Sequence, residues 1–439
     1  MGAVQNALNE EFEKIQPLYG PQDLKKMDKV KFKDILPDRG FLKDFYDTFR
    51  PTSCTPDVFL LMGGLVALST VLGNKVRMPF SNGFIYPNLW VAIIAPSALY
   101  RKSTAIGFAE YFVRTFNNDL LLPNIFTMES LLAILSDEQR KVGATGLLSW
   151  KEFASALKSF EKQFMIGTKE TLQDLFDCPP YFKKKIQSAE YELRDPTFTI
   201  FAAGPASLIK SSSTTTDFTG GFYNRFLWVS ATSNDLKNSI PIPPQPTVEQ
   251  LEKLWSYMPY LKGLEMEGTD NFGNKLKREF EIITLKDTYG KWARTFERSI
   301  IGHSSEETLA GFYTRLEIYC LKFAMIYHVA LKNDVTTLDY EISEEALTYA
   351  INLTNFLRSK LHKTILEEIS VTQAGSAEDK ERRVLNVLAK NGGTAKKRDI
   401  QHYGNFKYAE ELNATLEVMV DEGKIKQDKN RSNIYSSIC

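Results

Sequence analysis

The apolar positions of this chain fall into two kinds of run. Asn88-Leu-Trp-Val-Ala-Ile-Ile-Ala95, Gly146-Leu-Leu-Ser-Trp150, Thr197-Phe-Thr-Ile-Phe-Ala-Ala203 and Leu227-Trp-Val-Ser-Ala231 are short, and polar residues do not alternate regularly within them. A strand without that alternation is buried on both faces, the mark of a parallel sheet. Between these runs, Ala105–Val113, Thr127–Leu135, Ala154–Lys162 and Thr171–Asp177 repeat their apolar residues at helical spacing, with Thr127 as an N-cap. Strands alternating with helices across 85–232 predict an α/β sheet with mostly parallel strands. Upstream, Phe41–Phe49 is helical in period, and Val58–Leu72 is the longest apolar stretch. It falls short of the ~20 residues a membrane span requires. It reads as a buried helix stopped by Gly73-Asn74. Lys75–Phe80 is a short strand and Asn82-Gly83 a turn. Before these, Lys25–Asp34 alternates Lys with other residues, as an edge strand or a solvated arm does.

Pro241-Ile-Pro-Pro-Gln-Pro246 is a rigid linker. Val248–Lys363 follows with a helical pattern, most apolar from Arg315 to Leu331, and Glu368–Asp379 reads as a hinge. Three helices, Glu381–Lys390, Ala395–His402 and Ala409–Glu422, then precede two strands, Gly423–Gln427 and Asn433–Ser436. That order is a winged helix, a helix-turn-helix with a β wing. Lys and Arg outnumber Asp and Glu in this tail. The expected DNA contacts are the third helix, with Lys407 and Lys426 near phosphates and Lys429 and Arg431 on the wing. Glu410, Glu411, Glu417, Asp421 and Glu422 crowd that helix, so a protein-binding winged helix is the alternative. The expected divisions are an N-terminal helical region (1–74), an α/β core (75–240), a helical region packed on it (241–366) and the winged helix (380–439).

Composition narrows the classes. With 439 residues the chain holds two or three domains. It is 43% hydrophobic and 25% charged with a formal net charge of zero, which excludes a globally basic nucleic-acid binder but not a local patch. Four scattered cysteines without C-x-x-C argue for a reducing compartment and against a cysteine zinc site. Four scattered histidines argue against a dedicated metal centre, so any metal is expected to arrive with a nucleotide. Asn6–Lys14 is too polar for a secretory signal. A cytoplasmic protein with no membrane partner is the expectation.

The chemistry concentrates at one strand-to-helix junction. After the strand 88–95, Pro96–Arg101 is a short link and Lys102-Ser103-Thr104 opens a helix. A Lys-Ser or Lys-Thr pair there is where a P-loop sets its amine on nucleotide phosphates and its hydroxyl on Mg²⁺. The helix start adds N–H donors. The pattern G-x-x-x-x-G-K-[ST] places glycines where this chain has Pro96 and Arg101, and Ala95 and Ala98 are the smallest residues nearby. Glu152, at the end of the strand 146–150, is the candidate to hold Mg²⁺ and polarise the attacking water, although Lys151 stands where an acid usually precedes it. Asp174 and Asp177 are reserve Mg²⁺ carboxylates. Arg225, before the strand 227–231, is the candidate arginine finger for a neighbouring subunit. Ser211–Thr216 is a polar loop open to phosphate or DNA.

Taken together, Asn88–Thr104 resembles the P-loop segment of a poorly characterised family of ATPases from phages, plasmids and bacterial mobile elements. That family is often fused to primase modules and presumed to be replicative helicases. Phe59–Gly73, Thr197–Pro205, Gly221–Phe226 and the apolar helix 315–331 with its internal Lys322 look similar too, so the resemblance covers about residues 40–360. It implies a RecA-like or AAA+-like P-loop NTPase core with ATP and Mg²⁺ as cofactors. Ala95, Pro96, Ser97, Arg101, Lys102, Ser103 and Thr104 would bind the nucleotide, Ser103 and Glu152 the metal, and Glu152 and Arg225 would be catalytic. It further implies a DNA-associated motor, a homo-oligomer with a hexameric ring as one form, and a primase or polymerase partner. This chain departs from the family at Ala95, usually Gly, and at Lys151, usually an acid. A non-hydrolysing DNA-binding or assembly protein with a degenerate P-loop fold is therefore the competing expectation. A small-molecule kinase would fit the core but not the tail.

Overall fold

The computed structural model describes residues 29–437 apart from 98, 186–188, 215–216, 219, 237–239, 241, 272, 274, 299–305, 363, 366–376, 392, 404–405, 407–408 and 429–433. The chain divides into two compact units, up to residue 369 and from residue 370. The segments 1–74, 75–240 and 241–366 thus belong to one unit. The expected hinge lies largely outside the described residues.

In the first unit, α1 (Phe41–Phe49) and α2 (Asp57–Leu72) lead into the hairpin β1 (Val76–Phe80) and β2 (Gly83–Ile85). The core then runs β3 (Trp90–Ile94), α3 (Lys102–Phe116), α4 (Met128–Leu135), β4 (Thr145–Trp150), α5 (Phe153–Phe160), α6 (Thr168–Phe176), β5 (Tyr181–Lys185), β6 (Glu190–Arg194), β7 (Thr197–Gly204), α7 (Ala206–Ser211) and β8 (Leu227–Ser230). Next come α8 (Val248–Trp255), α9 (Tyr257–Lys262), β9 (Arg278–Glu279), α10 (Lys286–Arg298), α11 (Glu306–Ala330) and α12 (Glu344–His362).

β4, β7, β3 and β8 make one sheet in that order, every pair parallel, and every residue of the four strands is buried. The mixed α/β reading with a parallel sheet is what the apolar runs predict. Strand order is what they leave open: β7 is inserted between β3 and β4. The register puts Ala92 beside Ala202 and Trp228, and Ala202 beside Trp150, which fixes how the strand ends line up.

Helix α2 is apolar on all sides and buried from Val58 to Leu72, so it lies inside the unit. Gly63 and Gly64 let it approach its neighbours: a Cβ at Gly63 would stand 3.1 Å from the Ala105 carbonyl oxygen of α3, and one at Gly64 3.1 Å from the Phe45 ring of α1. Ser69 bonds the Pro87 carbonyl and the Thr199 hydroxyl of β7, so its buried oxygen is satisfied. On the opposite face Trp90 meets Phe176, Phe198, Phe222 and Phe226, while Phe153 meets Phe226 and Trp228.

Three local readings change. Tyr181–Lys185 and Glu190–Arg194, basic then mixed in sequence, form an antiparallel hairpin with Lys183 2.8 Å from Glu192. Charged residues on both faces conceal its alternation. β9 pairs in parallel with β1 from within a stretch expected to be helical. Phe32–Asp34, in the expected arm, is a 3₁₀ turn.

The second unit runs α13 (Ala377–Lys390), β10 (Thr394–Lys396), α14 (Lys397–Tyr403), α15 (Ala409–Asp421), β11 (Ile425–Gln427) and β12 (Ile434–Ser437). β12 pairs antiparallel with both β10 and β11. Val384, Leu388, Ile400, Leu412, Leu416, Met419, Ile425 and Tyr435 close one small core. β10 occupies residues expected to begin the second helix. Among the described residues no helix is long and apolar enough to cross a membrane.

Candidate functional site at the end of the parallel sheet

β3 ends at Ile94, and α3 begins at Lys102 after a link of seven residues. Arg101 caps that helix with φ 45° and ψ 39°, in the left-handed region. A residue with a Cβ pays about 1–2 kcal/mol for that conformation, and glycine does not. This is the position where the phosphate-binding pattern carries its second glycine, so the backbone adopts a glycine shape without the glycine. Thr55, buried before α2, donates its hydroxyl to the Arg101 carbonyl at 3.3 Å and braces the turn.

The loop curls around the amine of Lys102. That Nζ donates to the carbonyls of Ala95 at 2.8 Å and Pro96 at 2.9 Å. Burial pushes the Lys102 pKa down, and the charge of Glu152 pulls it back up. The two candidates are therefore within electrostatic reach of one another. Pro96, Ser97, Arg101 and Ser103 are exposed, Thr104 is half-buried, and Ala95 is buried at the strand end. In the first turn of α3 the Thr104 N–H donates to the Arg101 carbonyl at 3.1 Å, and the Lys102 and Ser103 N–H groups precede the first intrahelical bond.

Glu152 is exposed and caps the N-terminus of α5. Counting two residues past Trp150 brings it level with Ile94 and Gly204. One strand separates it from β3, and strands lie about 4.8 Å apart. The spacing leaves roughly 10 Å between the two strand ends, room for a phosphate and a water. Beyond Glu152 a mostly apolar cleft of 780 Å³ is lined by Ile125, Trp150, Lys151, Phe160 and Phe164.

Lys151 does not point its charge at the Lys102 amine. It pairs with Glu110 of α3 at 2.8 Å, and Glu110 is only 12% exposed at its side chain. Glu110 is the residue that sequence reasoning missed. It stands eight places after Lys102, on the same stripe as buried Ala105, Ile106, Ala109 and Val113, where a carboxylate requires a partner.

Arg225 lies elsewhere. It precedes β8, whose Leu227 is beside Val91, so it sits where the parallel strands begin. Its guanidinium donates to Gln173 at 2.8 Å and pairs with Asp177 at 2.9 Å. Asp177 also binds Arg315 at 3.0 Å. Arg225 is thus a strand length from Lys102 of its own chain, and a finger role is open to it only toward another subunit. Asp177 is corrected as a reserve Mg²⁺ ligand for the same reason: the Phe176 carbonyl accepts from Asn88, which precedes β3. Asp174 is an exposed residue of α6. Ser211, Ser212 and Ser213 donate back to carbonyls of Leu208 and Ile209, closing the helix end rather than offering free hydroxyls.

In the second unit Lys426 is exposed on β11, while Lys407, Lys429 and Arg431 lie outside the described residues. The outward face of α15 carries Glu410, Glu417 and Asp421. No family model matches the chain, and no curated protein matches it.

Proposed function

We propose that this chain is an ATP-dependent, DNA-associated motor, a replicative helicase or helicase-like replication protein of a phage or mobile element. The observation that carries the reading is the left-handed Arg101 setting Lys102 at the head of α3, with the amine enclosed by the loop it would trade for phosphate. Open α/β sheets bind ligands beyond the carboxyl ends of their strands, where the order reverses. β3 is such a point: the next strand in sequence, β4, lies two places to one side and β8 lies directly on the other.

When bound, ATP supplies the phosphoanhydride and Mg²⁺ the charge neutralisation. Lys102 and the first-turn N–H groups would hold the phosphates, Ser103 would offer its hydroxyl to the metal, and Glu152 would orient water and accept its proton. Exposed Ile125 and Phe164 beside Glu152 support assembly into a homo-oligomer, in which Arg225 could serve a neighbour. We read the second unit as a winged helix from its order of three helices and three strands, with Lys426, Lys407, Lys429 and Arg431 toward DNA. Its acidic α15 favours contact through the wing over contact through the third helix.

One observation favours a non-hydrolysing protein instead. The position before Glu152 is a cation already committed to Glu110, so a second carboxylate is missing. ATP turnover with and without single-stranded DNA, beside native mass, separates the two. The motor reading expects DNA-stimulated turnover that disappears in Lys102→Ala. Nucleotide binding absent from the wild-type chain would sink it. Oligomerisation and DNA binding with no turnover would favour the second reading.

A further inference from the structure

The other end of the sheet also gathers charge. Where β4 and β7 begin, an open cleft of 860 Å³ is lined by seven Lys and Arg side chains against three carboxylates. The chain as a whole is neutral, so this excess is local. The cations come from four separate stretches: residue 75, residues 140–141, residue 194 and residues 262–277.

Part of this charge is neutralised within the chain. Lys277 pairs with Asp195 at 3.2 Å and Lys275 with Glu265. Among the described residues, Lys75 and Lys262 form no such pair. Their amines lie 5.1 and 5.7 Å from the centre of the same Phe116 ring. Lys75 otherwise donates to the Leu261 carbonyl at 3.3 Å. Burial, with Lys262 and Lys275 repelling, pushes its pKa down to about 8 even against the pull of Glu265. Like charges held together in a concavity are a cost that an anion removes. A single phosphate needs two or three donors. Cations spread along an open cleft suit several phosphates in series, the pattern of a groove that tracks a single strand.

We propose that this cleft is a second phosphate-binding site, and that it holds the backbone of single-stranded nucleic acid. It does not depend on the nucleotide reading, because Lys102 lies at the opposite end of the same parallel sheet. The test is fluorescence anisotropy of a labelled oligothymidylate on the full chain, over a salt series. Lys141 and Lys262 are both exposed, so Lys141→Gln with Lys262→Gln leaves the fold intact. That pair should weaken single-strand binding on the order of tenfold and flatten the slope of log K against log salt by about 1.4, two phosphates' worth. Affinity for a duplex of equal length should change less than about twofold, the duplex being the second unit's ligand. A control pair that does not line the cleft, Lys158→Gln with Lys185→Gln, should leave both unchanged. The proposal is overturned if the wild-type chain does not bind the strand, if the cleft pair leaves affinity and slope unchanged, if the control pair loses as much, or if duplex binding falls in parallel.

Discussion

Two buried lysines mark the two ends of β3. At its beginning, Lys322 of α11 donates to the carbonyl of Asn88 at 3.2 Å and to its side-chain oxygen at 2.5 Å, over the Phe176 ring at 4.4 Å. At its end, Lys102 donates to two backbone carbonyls of a loop. Burial lowers the pKa of both, that of Lys322 to about 8. The surroundings differ. Lys322 is enclosed by an asparagine, an aromatic ring and packed helices. Lys102 is wrapped by a loop with exposed Pro96, Ser97 and Ser103, and an exposed carboxylate faces it from one strand away. A buried amine is therefore not a site by itself. An amine whose acceptors belong to a solvent-facing loop can change partners, and one locked into side-chain packing cannot.

The largest effect that tests this contrast is catalytic. Lys102→Ala should lower ATP turnover on the order of 10³-fold while shifting the urea midpoint less than Lys322→Ala does, since the Pro96 carbonyl, one of its two acceptors, belongs to an exposed residue. Glu152→Gln should lower turnover about 10²-fold or more yet leave nucleotide binding in place. Steady-state turnover beside equilibrium nucleotide binding reads both. Lys322→Ala should do the reverse: about 2–4 kcal/mol of stability lost, because it opens a cavity and strands the Asn88 oxygen. Turnover per folded molecule should hardly move. A Lys102→Ala variant that unfolds, or a Lys322→Ala variant that stays stable and loses turnover, would invert the assignment.

A smaller effect is in pH. The folded pKa of Lys322 is about 8, below the 10.5 of an ordinary lysine. Between those values the unfolded chain binds more protons than the folded one, so this group makes stability rise with pH through the window. Below pH 8 both states are protonated and the burial penalty is constant. Lys322→Met should remove that slope. Chemical denaturation of wild type and variant at pH 7.5 and 10 measures it, and equal slopes would show that Lys322 is more hydrated than its packing indicates. Lys75, also lowered to about 8, remains in both proteins and cancels in the comparison.

These contrasts were unequally visible in the sequence. The four core strands were legible because a strand buried on both faces leaves a continuous apolar run, and parallel pairing followed from the helices between them. The junction at Lys102 was legible because residue type and position coincide there. Strand order was not, since nothing local in Thr197–Gly204 says that it inserts between β3 and β4. Arg225 could have been placed better. A residue that precedes a strand in a parallel sheet lies at the end opposite a residue that follows one, so it and Lys102 had to be apart. The Lys151–Glu110 pair was half legible, as a carboxylate on an apolar stripe. The basic cleft was invisible, because its charges come from stretches as distant as Lys75 and Lys277, each unremarkable alone.

The smallest predicted effect bears on the turn that distinguishes the two lysines. Arg101 holds φ 45° although it carries a Cβ. Arg101→Gly relieves about 1–2 kcal/mol of local strain. It also adds about 0.5–1 kcal/mol of unfolded-chain freedom, so the net gain in stability lies between about 0 and 1.5 kcal/mol. Arg101→Ala keeps the strain and removes the guanidinium, which separates backbone from charge. If the left-handed turn serves to set Lys102 for phosphate, Arg101→Gly keeps nucleotide affinity within about threefold of wild type. Arg101→Pro, which cannot adopt positive φ, abolishes it. Denaturation midpoints and equilibrium nucleotide binding on the three variants measure both effects. Affinity surviving in Arg101→Pro would mean that the turn is a packing feature and that Lys102, like Lys322, is held for the fold.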